Sequence, residues 1–317
     1  MLVLVEKMSL ASAIHEHLLA LFPGETLTYL GVNGFGWPFV FDYPSKLSWH
    51  DYPFWQEARF KLNTRSQWQF KPDANGKFFR EYVDYAALTP QAVLALPDPD
   101  NTGMFAANML MEHLHSLGKV AQWHGYRFLV TLAPDTLTQQ LTVAIPDAVV
   151  AQGSEARRLK ADFDYSFLVN AAGLLTRTYH AVGGQESSPV FSKYTVALLY
   201  KLKSMDYVTD GLLMQEMVRW TGSGKYVNNR VRMGSPASMG PLVDGLRQLG
   251  FIERRGTGYR IQLSPLGAAF LERLHPDCED ADLPFRLDNW QADPVAGRVA
   301  AQRYIRTWFG KQKRFMG

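Results

Sequence analysis

The feature that most constrains the fold is an acidic turn between an apolar run and a helical pattern. The apolar residues 93–96 are followed by Asp98 and Asp100, and the helical pattern 104–117 begins shortly afterwards. A strand that ends in carboxylates and leads into a helix is one layout of a divalent-metal site, because hard cations prefer oxygen ligands. An Asp-Pro-Asp sequence also suits an ordinary turn, so both interpretations stay open at this point.

A second segment with the same layout occurs near the N-terminus. The apolar residues 2–5 end at Glu6 and lead into a helix-like run over residues 10–21. If this strand pairs in parallel with the strand before the acidic turn, Glu6 meets Asp98 and Asp100 at one edge of a sheet. The sequence therefore predicts an α/β domain with three carboxylates at that edge.

The chain resembles the Toprim domain of type IA DNA topoisomerases, most closely the topoisomerase III branch, in the segments LVEKMSLASAI and DPDNTG. The family patterns are V-E-K-P-S-x-A-x-x-I and D-x-D-R-E-G-E. The resemblance implies a parallel sheet flanked by helices, a Mg²⁺ ion held by Glu6, Asp98 and Asp100, and a DNA contact at Lys7. The arginine and both glutamates of the second pattern are absent, which implies a reduced metal site. The alternative is a structural turn whose aspartates bond its own amides.

Composition agrees with a nucleic-acid enzyme. The 317 residues are 47% hydrophobic, enough for about two domains, and the formal net charge of +3 is mildly basic. The single cysteine, Cys278, excludes an internal disulfide and a thiolate zinc cage, and it favours a reducing cytoplasm. No apolar run approaches the span of a bilayer, so we expect a cytoplasmic protein without a membrane partner. Three tryptophans could stack on bases or cover the sheet: Trp49, Trp55 and Trp68.

The pattern divides the chain into three parts. A Toprim-like domain over residues 1–150 is predicted to close where Pro, Asp and Gly interrupt the apolar pattern. Residues 151–290 are predicted to form a mainly helical domain with a winged helix, which resembles domain IV of the family. Residues 291–317 are predicted to form a basic aromatic tail.

Residues 154–180 show helical spacing and resemble the family helix R-x-x-A-D-W-L-x-G-x-N-L-T-R-A, which borders the single-stranded DNA groove. The resemblance implies DNA contacts at Arg157 and Arg177, because arginine on a helix rim can hold a phosphate through a bidentate pair. The alternative role for each arginine is a surface ion pair. The other matched positions are Arg158 (in place of Arg157), Ala161, Asp162, Asn170 and Thr176.

The chain departs most from the family after this helix. Residues 191–202 stand in place of the family's G-R-V-Q-T-P-T-L segment, which implies a DNA contact at Lys193. Residues 207–219 already resemble a later family helix, so the two gate domains that carry the nucleophilic tyrosine of Y-x-R-T-D-S are missing. Strand passage needs a covalent anchor on a moving arm, so we expect none from this chain by itself.

Residues 234–274 carry the second strong match, to the family segment that begins G-x-P-A-T-R-A. The pattern predicts a helix, a two-stranded hairpin and a final helix, which together are typical of a winged helix. Positive charge lies on the helix and the wing, at Arg247, Arg254, Arg255 and Arg260. This arrangement is common in nucleic-acid docking, but winged helices also serve as protein-contact modules. Met239 replaces the arginine of the family segment.

The last residues, 291–317, carry basic and aromatic side chains with no acidic residue after Asp293. Such a segment is suited to backbone attraction and base stacking. Tyr304 begins the sequence Y-I-R-T, which reproduces the first four residues of the family's nucleophile motif, so Tyr304 is a candidate catalytic residue. Arg306 would then stabilise the developing phosphate charge. The alternative is an amphipathic tail.

Three functional hypotheses follow from these features. The first is a DNA-binding protein that grips single-stranded or junction DNA with a reduced Mg²⁺ site and passes no strand by itself. The second is a Mg²⁺-dependent nicking or relaxing transesterase, topoisomerase-like or relaxase-like, that uses Tyr304. The third is an interaction subunit or inhibitor of a topoisomerase. A protein that supplies the gate in trans is a further partner to expect.

Overall fold

The computed structural model describes residues 1–6, 8–31, 38–205, 208–256 and 259–316. The chain divides into two units. The first comprises Met1–Asp42 and Arg59–Arg158, and the second comprises Tyr43–Ala58 and Leu159–Gly317. The predicted first domain, residues 1–150, therefore differs in two respects: the unit continues to Arg158, and it excludes an internal segment that belongs to the second unit.

The first unit contains a sheet with helices on its faces. Its strands are β1 (Leu2–Val5), β2 (Thr28–Gly31), β3 (Phe39–Phe41), β4 (Phe60–Leu62), β5 (Trp68–Pro72), β6 (Phe78–Tyr82), β7 (Gln91–Leu96) and β8 (Val120–Tyr126). Its helices are α1 (Met8–Leu21), α2 (Asn101–Ser116) and α3 (Pro134–Thr142), and α4 (Asp147–Asn170) begins in this unit.

Within the described residues, six strands form one sheet in the order β6-β5-β2-β1-β7-β8. Strands β2, β1, β7 and β8 run parallel, whereas β5 and β6 are antiparallel additions at one side. The predicted α/β arrangement is confirmed at this level, but the sheet is mixed rather than wholly parallel. Strand β1 pairs directly with β7, with Val5 opposite Leu96.

Strand β1 is buried on both faces because all four of its side chains are apolar. Leu2 and Leu4 pack in one hydrophobic cluster, and Val3 and Val5 pack in another. Alternate side chains of a strand point to opposite faces, so the sheet has a core on each side. A central strand of this kind holds its carboxyl end, where Glu6 follows, in a fixed position.

The second unit is mainly helical. Its helices after α4 are α5 (Thr176–Ala181), α6 (Thr195–Lys203), α7 (Asp210–Val218), α8 (Pro236–Gln248), α9 (Pro265–Glu272), α10 (Leu283–Ala292) and α11 (Pro294–Met316). Its strands are β9 (Val208–Thr209), β10 (Trp220–Thr221), β11 (Arg230–Val231), β12 (Ile252–Arg254) and β13 (Arg260–Leu263).

The elements expected between residues 234 and 274 are present. Helix α8 begins with Pro236 and is followed by Gly250 at φ 71°, a left-handed conformation that glycine adopts without strain. Strands β12 and β13 pair as an antiparallel hairpin, β9 adds to β13, and α9 begins at Pro265. The chain therefore follows the predicted order of helix, hairpin and helix.

The segment expected to be a tail is the long helix α11. Ile305, Trp308 and Phe309 on this helix are buried, and the rings of Trp308 and Phe309 contact Phe167 of α4 at 6.1 and 5.2 Å between centroids. Apolar residues three and four positions apart give the helix one face that packs into the core. Its aromatic residues therefore serve mainly to build the second unit.

Candidate functional site

The carboxyl ends of β1 and β7 bring two acidic segments to the same end of the sheet. Glu6 follows β1 and is buried, with 8% of its surface exposed. Asp98 and Asp100 follow β7, and they are half-buried and exposed, respectively. The predicted side-by-side placement of the two strands is thus present. Lys7, the DNA contact implied by the resemblance, lies outside the described residues.

Asp100 caps helix α2. Its Oδ1 accepts hydrogen bonds from the N–H groups of Thr102 and Gly103, each at 2.8 Å. The turn is tight at Gly103, where an added Cβ would lie 2.7 Å from the carbonyl oxygen of Asp98. One oxygen of Asp100 therefore already stabilises the helix, as in the structural-turn alternative.

The carboxylates provide the oxygen donors that Mg²⁺ prefers, but their grouping does not make a ready site. In the part of the chain that the structure describes, no group of three or more His, Cys, Asp or Glu side chains is placed to share a metal ion. One oxygen of Asp100 is engaged by the helix cap, so Oδ2 is the oxygen that Asp100 could offer to a metal ion. The Mg²⁺ ion stays a prediction from the resemblance.

A ladder of buried polar side chains on α4 binds the internal segment 54–58 of the second unit. Asp162, Ser166 and Asn170 are all fully buried and lie one helical turn apart; we call them the α4 ladder. Asp162 Oδ1 accepts a hydrogen bond from the N–H of Ala58 at 2.8 Å. Ser166 Oγ accepts from the N–H of Gln56 and donates to the carbonyl oxygen of Gln56. At the other end of the segment, Asn170 Oδ1 accepts from the N–H of Phe54 at 2.8 Å, and Asn170 Nδ2 donates to the carbonyl oxygen of Phe54 at 2.7 Å.

The α4 ladder explains why residues 54–58 belong to the second unit. An extended segment presents main-chain groups that must be satisfied when buried, and the ladder satisfies those of alternate residues. Sequence reasoning matched Asp162 and Asn170 to the family but assigned them no role. The available signal was a polar residue at every fourth position of an otherwise apolar helix face.

Two of the predicted DNA contacts are neutralised by carboxylates. Lys193 forms an ion pair with Asp164, and only 12% of its side chain is exposed. Arg247 Nη2 donates to both carboxylate oxygens of Asp210 at 2.9 Å, and Arg247 Nη1 pairs with Asp244 at 2.8 Å. For these two cations, the structure favours a role inside the protein.

Arg177 has a different environment. Its guanidinium lies over the indole ring of Trp49, 4.8 Å from the ring centroid, and the ammonium of Lys313 lies over the same ring at 5.2 Å. Lys313 Nζ also donates to the carbonyl oxygen of Tyr52 at 2.7 Å. We call these four residues the Trp49 cluster. No ion pair joins either cation to a carboxylate within the described residues.

One carboxylate stands close to the Trp49 cluster. Asp51 Oδ2 accepts from the N–H and the hydroxyl of Ser48, at 2.7 and 2.8 Å. These hydrogen bonds hold the pKa of Asp51 below its ordinary value, and the charges of His50 and Lys313 act in the same direction. Asp51 is therefore an anion whose bonds go chiefly to its own turn, and it offsets only part of the positive charge.

A cavity of about 370 Å³ shares Tyr52 with this cluster. Its wall includes Ala171 and Ala172 of the π-helical turn Ala171–Leu175, which follows α4, and such turns often occur at functional sites. Tyr43 and Phe191 line the cavity with apolar surface, and Lys46 supplies one cation. This mixture of flat apolar walls and a single charge suits a planar ring with an adjacent anion.

The remaining predicted DNA contacts have separate environments. Arg157 is half-buried, and its guanidinium lies 5.8 Å from the ring centroid of Phe105. Arg254 and Arg255 are exposed on the β12–β13 hairpin, and residues 257–258 lie outside the described residues. These two arginines keep the solvent access that a phosphate contact requires.

Tyr304 has the contacts of a core residue. Its ring packs against Phe163 and Trp290, at 5.9 and 5.7 Å between centroids. Burial raises the pKa of Tyr304 well above its ordinary value, and the nearby charge of Asp280 and the hydrogen bond to it act in the same direction. A phenol with a raised pKa is a poor nucleophile, so this environment does not favour the predicted catalytic role.

Comparisons of the chain with protein-family models and with curated proteins find no match. None of the helices in the described part of the chain combines the length and the apolar character needed to cross a membrane.

Proposed function

We propose that this protein binds single-stranded or junction DNA through its second unit and passes no strand by itself. The Trp49 cluster carries this proposal, because it holds two cations by an aromatic ring and a carbonyl oxygen rather than by carboxylates. In the resemblance to a type IA topoisomerase, Arg177 stands on the helix that borders the DNA groove. The resemblance and the local chemistry therefore point to the same residue.

The physical argument concerns counter-charges. A carboxylate partner cancels most of the field of a cation, as at Lys193. An aromatic ring orients a cation but leaves its net charge in place. Arg177 and Lys313 can therefore attract a phosphodiester group, and binding of this kind releases counterions and weakens with salt.

The aromatic surface of the site supports a preference for unpaired bases. Trp49 is half-buried, and the part of its side chain that solvent reaches offers apolar surface beside the two cations. The neighbouring cavity of about 370 Å³ has the planar apolar walls that would accept a base no longer stacked in a duplex. Duplex DNA cannot present such a base without being opened.

The proposal includes a Toprim-like fold for the first unit and a winged helix in the second unit. The parallel pairing of β1 with β7 beside two acidic segments supports a Toprim-like first unit. The order α8, β12, β13 and α9 supports a winged helix in the second unit. Glu6, Asp98 and Asp100 would be the ligands of any Mg²⁺ ion, but no step of the proposed activity depends on one. No observation favours the alternative of nicking through Tyr304 or of a topoisomerase-binding subunit.

Binding of an oligo(dT) strand, followed by fluorescence anisotropy between about 50 and 200 mM salt, tests the proposal. Two phosphate contacts predict a slope of log K against log salt of about −1.4, at −0.7 for each contact. We expect a blunt duplex of equal length to bind at this site more weakly. Absence of binding, or binding without salt dependence, would contradict the proposal and favour a protein-contact role.

A further inference from the structure

A short hairpin in the second unit carries a separate concentration of positive charge. It comprises β10, β11, the residues between them, and the flanking Arg219 and Arg232; we call it the arginine hairpin. Residues 217–243 contain four cations and no aspartate or glutamate. The four cations are Arg219, Lys225, Arg230 and Arg232, and all four are exposed.

The register of the hairpin places arginine on its outer face. Trp220 pairs with Val231, and Thr221 pairs with Arg230. Trp220 is buried, so the Trp220–Val231 pair faces inward and the Thr221–Arg230 pair faces solvent. Arg232 lies two positions beyond Arg230 and is exposed in the same way. Three of the four side chains on the outer face of this ladder are therefore cationic: Arg219, Arg230 and Arg232, with Thr221 as the fourth.

The base of the hairpin is fixed to the segment that begins helix α10. Trp220 Nε1 donates to the carbonyl oxygen of Ala281 at 2.7 Å. The N–H and the hydroxyl of Ser223 donate to Asp282 Oδ1 at 2.5 and 3.1 Å. Asp282 is buried and lies 3.7 Å from Arg286, so this nearby carboxylate is already committed.

The turn of the hairpin is fixed by aromatic packing. The ring of Tyr226 stacks on Phe285, with centroids 4.8 Å apart and planes inclined by 10°. Its hydroxyl accepts a hydrogen bond from Asn289 Nδ2 at 2.9 Å. Both large aromatic side chains of the hairpin, Trp220 and Tyr226, thus anchor it and are buried. Its exposed face has charge but no ring on which a base could stack.

The concentration of like charges on the arginine hairpin is electrostatically unfavourable when no anion is bound. Like charges close together on a two-stranded ladder repel one another, and the segment supplies no acid to offset them. In the described residues, no ion pair links any of the four cations to a carboxylate. A rigid cationic surface without an internal counter-charge is complementary to a regular polyanion.

We propose that the arginine hairpin binds the sugar–phosphate backbone of duplex DNA, as a contact additional to the Trp49 cluster. It rests on the proposed function, since it assigns the duplex arm of a junction to a second surface of the same protein. Duplex DNA is favoured over a single strand because the hairpin offers charge without stacking surface. The Trp49 cluster offers both.

The test compares two triple variants with the same change in charge. The hairpin variant is Arg219→Gln, Arg230→Gln and Arg232→Gln. The control variant is Lys203→Gln, Arg273→Gln and Arg303→Gln, which removes three exposed cations from other elements. Each is titrated with a blunt duplex, with a single strand, and with a duplex that carries a single-stranded tail. Circular dichroism checks that both variants are folded.

We expect the hairpin variant to bind the duplex and the tailed duplex at least about tenfold more weakly. The magnitude of its salt slope should fall by about 3, or about 1 for each cation removed. Single-strand affinity should change less than about threefold, and the control variant should resemble the wild type. A further triple variant with lysine at the three positions keeps the charge, so it should retain duplex binding within about threefold.

Equal losses in the hairpin and control variants would overturn this proposal, as would a loss confined to the single strand. If the wild type binds a single strand with the expected salt dependence while the hairpin variant binds duplex normally, only the hairpin contact is refuted. If the wild type binds neither form of DNA, the proposed function and the hairpin contact both fail.

Discussion

Lys193 and Arg177 are both cations for which the resemblance implies a DNA contact, but their surroundings in the second unit differ. Lys193 is largely buried against Asp164, whereas Arg177 is exposed and lies over Trp49. The first contact cancels charge, and the second directs it outward. Whether a cation is available to a ligand therefore depends on whether another element contributes a counter-charge.

The largest change in stability is expected when a cation loses a buried carboxylate partner. Asp162 of the α4 ladder holds Arg298 and the N–H of Ala58, and its side chain is fully buried. We expect Asp162→Ala to lower the free energy of unfolding by about 3 kcal/mol, because it leaves the N–H of Ala58 without its acceptor and removes the buried partner of Arg298, which also pairs with the exposed Glu57. Urea unfolding measures this loss. Asn228→Ala, at an exposed position of the arginine hairpin, should change stability by less than about 0.5 kcal/mol.

The second prediction concerns the ring that holds the available cations. Trp49→Ala should weaken oligo(dT) binding about tenfold, because it removes a stacking surface and the support of Arg177 and Lys313. Trp49→Phe keeps an aromatic face and should retain affinity within about threefold. Equal affinity of the alanine variant and the wild type would remove the ring from the proposed site. Anisotropy titrations at fixed salt provide the comparison.

The acidic turn contains a carboxylate, Asp100, that is likewise engaged inside the protein. Asp100 caps α2 with one oxygen, so Asp100→Ala should lower the free energy of unfolding by about 1 kcal/mol. Asp100→Asn keeps an oxygen acceptor and should be close to the wild type, because asparagine is an equally good N-cap. Chemical denaturation of both variants measures the difference. An equal loss in the two variants would show that the negative charge, rather than the cap, matters for stability.

A histidine provides a third case, a side chain whose protonation is disfavoured by burial. His113 packs against Phe39 and Tyr85, its Nε2 is buried, and burial lowers its pKa below 6.5. Well above pH 6.5 the imidazole is neutral in both the folded and the unfolded state and contributes nothing to the pH dependence of stability. Below it the unfolded chain takes up the proton more readily than the folded chain, so stability falls as pH decreases toward the folded pKa.

We therefore expect His113→Leu to show a smaller loss of stability than the wild type between pH 7 and about pH 5.5. Urea midpoints at the two pH values measure the effect, which should be the smallest of this series. His115→Gln, at an exposed position two residues away, should keep the pH dependence of the wild type. The same pH dependence in His113→Leu would assign the effect to other groups.

Parts of the fold could be predicted because short-range patterns specify them. Four consecutive apolar residues before Glu6 indicate a buried central strand, and its parallel partner could be inferred from the acidic turn. Helix α8 follows from Pro236 at its start and Gly250 just beyond its end. These features depend on neighbours in the sequence, which the sequence displays directly.

Other features depend on partners far along the chain. The acid that neutralises Lys193 lies 29 residues away, and the helix that carries Lys313 is contributed by the end of the chain. The α4 ladder binds a segment more than a hundred residues earlier in the sequence. Helix α11 was also difficult to predict, because its buried residues recur at helical spacing among many arginines and lysines. Arg177 was identified from its motif, but its environment required the tertiary structure.

The most direct test of the central claim compares Arg177→Gln with Arg247→Gln in oligo(dT) binding across a range of salt. Both variants remove one arginine charge, but Arg177 lies over Trp49 and Arg247 is paired with Asp210 and Asp244. We predict that Arg177→Gln reduces the magnitude of the salt slope by about 0.7 and that Arg247→Gln leaves it unchanged. Equal slopes for the two variants, or a reduction only in Arg247→Gln, would contradict the account.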